Sequence, residues 1–361
     1  MSLKFFDGFE TYDLNASVYP DYDINDVWML DDESDMSGST LTIASSDRIS
    51  GGQLLNIVHG SASNDLTTTR TIQLPIREFL ADGDTIIVGA AIRCPDGLNG
   101  AAEYTHLFDF DSNCTLRLRG NGDLRLDRVT LTTSTNVAVA TGAIPDTDWH
   151  YIEAKITFHN STGTYDIRVD GVSVMSGTGN TSETASTTAN RLVLGHVQNK
   201  RLQYDDFYIC DDSGSTNNNF LSEVFVQKVR PNAVGDSSQL TPTSGDNYTN
   251  VDEDTWDSDT TYVESRTTSE KDLYNYENLD SGVVGTIFGV IAKPVLKKTD
   301  GGARTYRLLA KSGSTESNSG TRYPNVSYVR QGYIWETDPD TSTQWTVSGF
   351  NAAQFGLEVV A

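Results

Sequence analysis

Leucines alternate with charged residues on both sides of a short glycine–asparagine turn, and no other feature of the chain restricts its fold as much. The first arm reads Thr115-Leu116-Arg117-Leu118-Arg119, the turn Gly120-Asn121-Gly122-Asp123, and the second arm Leu124-Arg125-Leu126-Asp127-Arg128-Val129. A period of two puts the leucines on one face, and Asn-Gly supplies the positive φ of a tight hairpin. A helix would scatter the same leucines around its circumference. The segment therefore predicts a half-buried β-hairpin, with Arg117, Arg119 and Arg125 sharing its outward face.

The same period recurs along the chain. Residues 85–93 form a β-branched run that predicts a buried strand, and residues 104–110 predict another. Residues 149–158 and 164–169 flank the polar turn Asn160-Ser161-Thr162-Gly163. Residues 191–195, 203–210 and 220–229 continue the series, while the Ser/Thr/Gly-rich residues 177–189 predict a loop. Composition agrees: Asp outnumbers Glu by 36 to 14 and there are 30 glycines, which favours turns over helix interiors. The expected fold is all-β.

A chain of 361 residues is long enough for two domains. Residues 231–247, rich in Pro, Gly, Ser, Thr and Asp, predict a linker between domains at 1–230 and 248–361. In the second domain, residues 260–265, 282–296, 303–311, 328–336 and 355–360 predict strands, and residues 270–278 a helical turn.

The net charge of −24 excludes an ordinary nucleic-acid-binding role and disfavours an anionic membrane surface. No run is apolar enough to span a bilayer, and Met1-Ser2-Leu3-Lys4-Phe5-Phe6-Asp7 predicts no signal peptide. Cys94, Cys114 and Cys210 form neither a CxxC pair nor a metal-ligand spacing, so buried free thiols are expected.

Residues 1–230 resemble the concanavalin A-like, laminin-G-like jelly roll. The likeness lies in Asp148-Trp149-His150-Tyr151-Ile152-Glu153, in Tyr165-Asp166-Ile167-Arg168-Val169-Asp170-Gly171, and in Leu194-Gly195 followed by Tyr204-Asp205-Asp206-Phe207-Tyr208-Ile209. It implies an N-terminal jelly-roll sandwich, here followed by a smaller C-terminal β-sandwich. A second resemblance, to tailed-bacteriophage virion proteins, rests on Phe6-Asp7-Gly8-Phe9-Glu10-Thr11-Tyr12 and on Trp335-Glu336-Thr337-Asp338-Pro339-Asp340-Thr341, Trp345-Thr346 and Asn351-Ala352-Ala353-Gln354-Phe355-Gly356. It implies a virion component on the tail or a surface appendage, assembled in the bacterial cytoplasm. Other virion subunits, further copies of itself and host-surface glycan are its implied partners. A capsid decoration or head-fibre protein is the alternative within that class. A free carbohydrate-binding or carbohydrate-degrading protein is the alternative outside it.

Candidate chemistry is sparse. No segment has the Glu-x-Asp-x-x-Glu spacing by which glucanases of this fold place nucleophile and acid/base on one strand face, so no enzyme is expected. Asp109, Asp111 and Asn113 alternate as oxygen ligands do in a calcium loop, although the glycine and distal glutamate of an EF-hand are missing. Asp205-Asp206 and Asp211-Asp212 are a second calcium candidate, because related jelly rolls bind calcium near their rim. No other cofactor is expected. Arg117, Arg119, Arg125 and Arg128 concentrate positive charge in an acidic chain. They predict either a docking stripe for an acidic neighbour or anionic glycan, or local pairing with Asp123 and Asp127.

Overall fold

The computed structural model describes residues 1–12, 28–30, 40–48, 52–58, 72–76, 85–97, 104–111, 113–129, 134–182, 189–196, 201–254 and 256–361. The chain divides into two units, Met1–Val226 and Gln227–Ala361. Among the described residues, no helix is long and apolar enough to cross a membrane.

The first unit is a jelly-roll sandwich of two antiparallel sheets. Its strands are β1 (Leu3–Asp7), β2 (Met29–Leu30), β3 (Thr40–Ser45), β4 (Gln53–Val58) and β5 (Ile72–Pro75). There follow β6 (Thr85–Arg93), β7 (Tyr104–Asp109), β8 (Cys114–Arg119), β9 (Leu124–Val129) and β10 (Ser134–Ala140). The last five are β11 (His150–Thr157), β12 (Gly163–Val169), β13 (Val172–Gly179), β14 (Arg191–His196) and β15 (Arg201–Asp211). An eight-stranded sheet has the order β13-β12-β11-β6-β15-β4-β3, with β1 also on β15; a seven-stranded sheet has the order β10-β9-β8-β7-β14-β5-β2.

One apolar core lies between them. Ile86, Val88, Ala90 and Ile92 of β6 join Phe108, Leu116, Leu118, Leu124, Leu126, Leu192 and Leu194 of the other sheet in one cluster. The predicted hairpin is β8–β9, with Leu116 opposite Leu126, Arg117 opposite Arg125 and Leu118 opposite Leu124. Its turn needs Gly122, at φ 84°, where an added Cβ would stand 2.2 Å from the Ile144 carbonyl oxygen. All three cysteines are buried, and none is in a disulfide.

Residues 220–229 are not the expected strand. Residues 213–226 run as an irregular strap fastened to side chains of the eight-stranded sheet. Val226 N–H donates to Asp206 Oδ1 at 2.6 Å, and Ser222 N–H to Glu153 Oε1 at 2.9 Å. Side-chain acceptors replace a ladder here, so alternation alone misleads.

The second unit contains β16 (Pro231–Ser238), β17 (Thr241–Pro242), β18 (Val263–Glu264), β19 (Lys271–Tyr276), β20 (Val290–Ala292) and β21 (Val295–Leu296). It continues with β22 (Tyr306–Ser312), β23 (Thr315–Asn318), β24 (Val329–Arg330), β25 (Tyr333–Trp335), helix α1 (Val347–Ala352) and β26 (Gln354–Val359). A five-stranded sheet of order β16-β19-β26-β22-β23 is accompanied by three two-stranded ladders, β17–β18, β20–β25 and β21–β24. Tyr306, Leu308, Ala310, Trp335, Trp345, Phe350 and Phe355 form its core.

Three expectations change in this unit. Pro231–Ser238, read as part of the 231–247 linker, is an edge strand. Its proline opens the strand, where the missing N–H is tolerated, and its small polar residues suit an edge. Residues 270–278 are no helical turn, because Lys271–Tyr276 pairs with β16 on one side and β26 on the other. Two ladders override a local preference for helix. The run at 282–296 yields only the short strands β20 and β21.

Buried Asp272 explains why the segment after β16 is ordered. Its Oδ1 accepts from the N–H groups of Gln239 at 2.6 Å and Leu240 at 2.9 Å. Its Oδ2 accepts from Asn247 Nδ2 and from the Tyr274 hydroxyl, both at 2.6 Å.

Candidate functional site

The outward positions of β8 and β9 carry a charged network built on Asp127. The ladder sets Arg117 opposite Arg125, and both guanidinium groups turn to the one carboxylate. Arg117 Nη1 donates to Asp127 Oδ2 at 3.3 Å and to Ser134 Oγ at 3.1 Å. Arg125 donates to Asp127 Oδ1 through Nε at 3.2 Å and Nη2 at 2.8 Å. Asn136 Nδ2, the third donor side chain, adds a fourth hydrogen bond at 3.1 Å. Arg117 is only 6% exposed and Asp127 1%, so the centre of the network is shielded from water. Asn136 on the neighbouring strand is exposed, and Arg125 is half-buried.

Of the two expectations, docking stripe and local pairing, the pairing describes Arg117 and Arg125. Arg117 is held inside the face and not presented on it, while Arg119, Arg125 and Arg128 are half-buried. Of the two acids named as local partners, Asp127 takes the arginines. Asp123 instead closes the hairpin turn: Oδ1 accepts from Gly142 N–H and Oδ2 from Asn121 Nδ2, both at 2.8 Å. These bonds hold its pKa below the usual carboxylate value, the Gly142 bond most strongly.

His106 on β7 adjoins the network, with Nδ1 3.6 Å from Asp109 Oδ2. Burial lowers its pKa, and the nearby Arg117 charge acts in the same direction against the Asp109 hydrogen bond. The imidazole is therefore neutral near pH 7.

The calcium-spaced residues are engaged one by one. Asp109 faces His106, Asp111 accepts from Asn190 Nδ2 at 2.9 Å, and Asn113 Oδ1 accepts from Ser182 Oγ at 2.6 Å. The second pairs are occupied too: Asp205 takes the Ser46 hydroxyl at 2.7 Å, Asp206 takes Arg48, and Asp211 takes Lys4 at 2.8 Å. Asp212 is exposed. Among the described residues, no three His, Cys, Asp or Glu side chains converge as a metal site.

Sequence reasoning missed a set of buried acids on the opposite side of the sandwich. Burial, aided by the Asp205 charge, pushes Glu10 up to about 9. Burial likewise raises Asp205 to about 6 and lifts Glu153 above its ordinary value. Glu153 is fully buried beneath the strap, where Oε1 accepts the Tyr208 hydroxyl at 2.5 Å. The Phe6–Tyr12 motif contained the signal. Asp7 binds Phe9 N–H at 3.0 Å, the Tyr12 hydroxyl at 2.6 Å and Trp28 Nε1 at 3.2 Å, which tucks this turn and Glu10 into the sandwich. The later motif is structural in the same way. Trp345 Nε1 donates to the Trp335 carbonyl at 3.0 Å, and Thr346 caps α1 by accepting from Gly349 N–H at 3.0 Å.

No protein family matches this chain, and no curated protein does. Solved structures do. The cellulose-induced protein Cip1 shares 12% identity at a TM-score of 0.40, over 57% of this chain and 96% of Cip1. A conserved carbohydrate esterase from the Shiga toxin-encoding bacteriophage phi24B shares 12% identity at 0.35, over 51% and 89%. The carbohydrate-binding module CBM66 from Bacillus subtilis shares 10% at 0.33, over 48% and 96%. Likeness at these identities concerns the fold and not the activity.

Proposed function

We propose that this chain is a non-enzymatic structural component of a tailed-phage particle, tail-associated or on a surface appendage. Its jelly roll contacts host-surface glycan through the exposed rim of the Asp127 network. Support comes from how that face is built. Asp127 is held by two guanidinium groups and an amide, so it is committed to fixing donors and not to attacking or protonating a substrate. Arg125 and Asn136 stand at its rim on neighbouring strands, the guanidinium as a fixed donor to saccharide oxygens and the amide, whose Nδ2 is held by Asp127 and the Ala138 carbonyl, as an acceptor through Oδ1. The particle assignment rests on the resemblance of the 6–12 and 335–356 motifs to tailed-phage virion proteins.

Incubation of the chain with purified host-surface polysaccharide tests the binding role. Retention without release of reducing ends is expected, with Arg125→Ala weakening retention several-fold. Released oligosaccharide would reverse the non-enzymatic reading, and no retention would remove the glycan contact. Labelled antibody on intact particles tests the location. Signal at the tail supports the assignment, and signal across capsid faces makes the chain a decoration protein instead.

A further inference from the structure

The second unit carries an aromatic and charged cluster that neither its core nor its sheet requires. Trp256 lies among acidic residues of the sequence, Asp252, Glu253, Asp254, Asp257 and Asp259, and remains 39% exposed. Its indole meets Tyr328 edge to face, with ring centroids 4.9 Å apart at 66°. Tyr328 directly precedes β24, and Lys297 directly follows β21. The ladder that pairs Leu296 with Val329 therefore brings Lys297 and Tyr328 together. The Lys297 ammonium sits 4.2 Å from the Tyr328 ring centroid. Asp259 binds both, accepting from the Tyr328 hydroxyl at 2.7 Å and from Lys297 Nζ at 2.6 Å. A second acceptor, the Ser258 carbonyl, holds the phenol at 3.1 Å.

Each part has a reason to be where it is except the exposed indole. Tyr328, with Lys297 against its ring and its hydroxyl tied to Asp259, is a fixed support. The carboxylate of Asp259 remains 66% exposed, so it still has room to accept from a ligand hydroxyl. An apolar ring surface beside a fixed acceptor and a fixed donor is what a pyranose demands: its C–H face stacks on the ring while its equatorial hydroxyls bond at the edge. Charge narrows the ligand further. The acidic residues around Trp256 in the sequence repel uronic or sialic acids.

We propose that Trp256, held edge to face by a Tyr328 that Asp259 and Lys297 fix in place, is with these residues a binding platform for an uncharged pyranose of a polysaccharide. This platform belongs to the second unit and does not rest on the Asp127 face of the first. Native gels cast with dextran, galactomannan or hydroxyethylcellulose test it, using the full chain. Wild type is expected to be retarded in at least one gel, with Trp256→Ala at least tenfold weaker and Trp256→Tyr intermediate. Lys297→Met is expected to weaken retardation by about threefold. Retardation by none of the three polysaccharides overturns the proposal. So does Trp256→Ala binding as wild type, or sedimentation showing a dimer that Trp256→Ala dissolves, which would make the ring a contact between copies. Loss of neutral-gel retardation by Arg125→Ala with Trp256→Ala unaffected would place neutral-sugar binding on the first unit and also overturn it.

Discussion

On the two outer faces of the N-terminal sandwich, Asp127 and Glu153 are buried in opposite ways, although the second face also holds an ion pair, Arg48 with Asp206. On the seven-stranded sheet, Asp127 is surrounded by cationic and amide donors. On the eight-stranded sheet, Glu153 lies under the strap, bonded to a phenol and a backbone N–H, and burial drives it toward its neutral form. The first face gains fixed positive donors at its rim. The second gains a sealed surface. The lesson is that guanidinium groups or neutral donors are chosen for a buried carboxylate residue by residue and not for a whole sheet face.

The contrast breaks most readily at Asp127. Asp127→Ala leaves the Arg117 guanidinium buried without its carboxylate, and a loss of about 3–5 kcal/mol is expected in urea denaturation. Replacing both, with Arg117→Met and Asp127→Leu, should recover most of that loss. A large residual loss would show that the pair does more than neutralise itself.

Glu153→Ala comes next. It strands the Tyr208 hydroxyl and the Ser222 N–H, and about 2–3 kcal/mol of destabilisation is expected. Amide exchange should speed first in residues 213–226. Exchange unchanged in that segment would show that the strap is held by other contacts.

A pH series tests the acids of the second face by sign. Glu10, Asp205 and Glu153 all have folded pKa values above their unfolded ones. Each is protonated in both states below the unfolded value of about 4, where its contribution to stability is complete. As pH rises, the unfolded chain releases the proton first and the contribution is lost. For Asp205 the loss ends near pH 6, and for Glu10 near pH 9. The melting temperature is therefore expected to fall between pH 5 and 9. Glu10→Gln should flatten that fall and add about 1–2 kcal/mol at pH 8. A melting temperature that climbs across this range would contradict the burial of these acids.

The smallest effect belongs to Arg125→Ala, which should reduce stability by about 1 kcal/mol or less, since Arg117 still neutralises Asp127. Its consequence for glycan retention should exceed its consequence for the melt.

The hairpin β8–β9 was legible because four leucines at alternate positions admit one register, and β6 because nine residues of mostly apolar character fit one central strand. Arg117 and Arg125 were legible as sharing a face. Their burial was not, because it depends on Asp127, Ser134 and Asn136 arriving on neighbouring strands. Lys271–Tyr276 defeated sequence reasoning for a related reason: its strand character comes from two partners, one distant in the chain. Glu10 and Glu153 were invisible as acids with raised pKa values, since desolvation is a property of what covers a residue and not of its neighbours in sequence.

Strand β1 pairs with β15, so that Leu3 faces Cys210 and Asp7 faces Phe207. These partners are separated by about 200 residues. During synthesis, β1 must wait for nearly the whole unit to leave the ribosome before its edge can be filled. Until then its unpaired backbone is open to the wrong strand, its own or another chain's. Slow, late closure is thus built into the order of the strands. A culture grown cooler, or with translation slowed after residue 211, should give a larger soluble fraction.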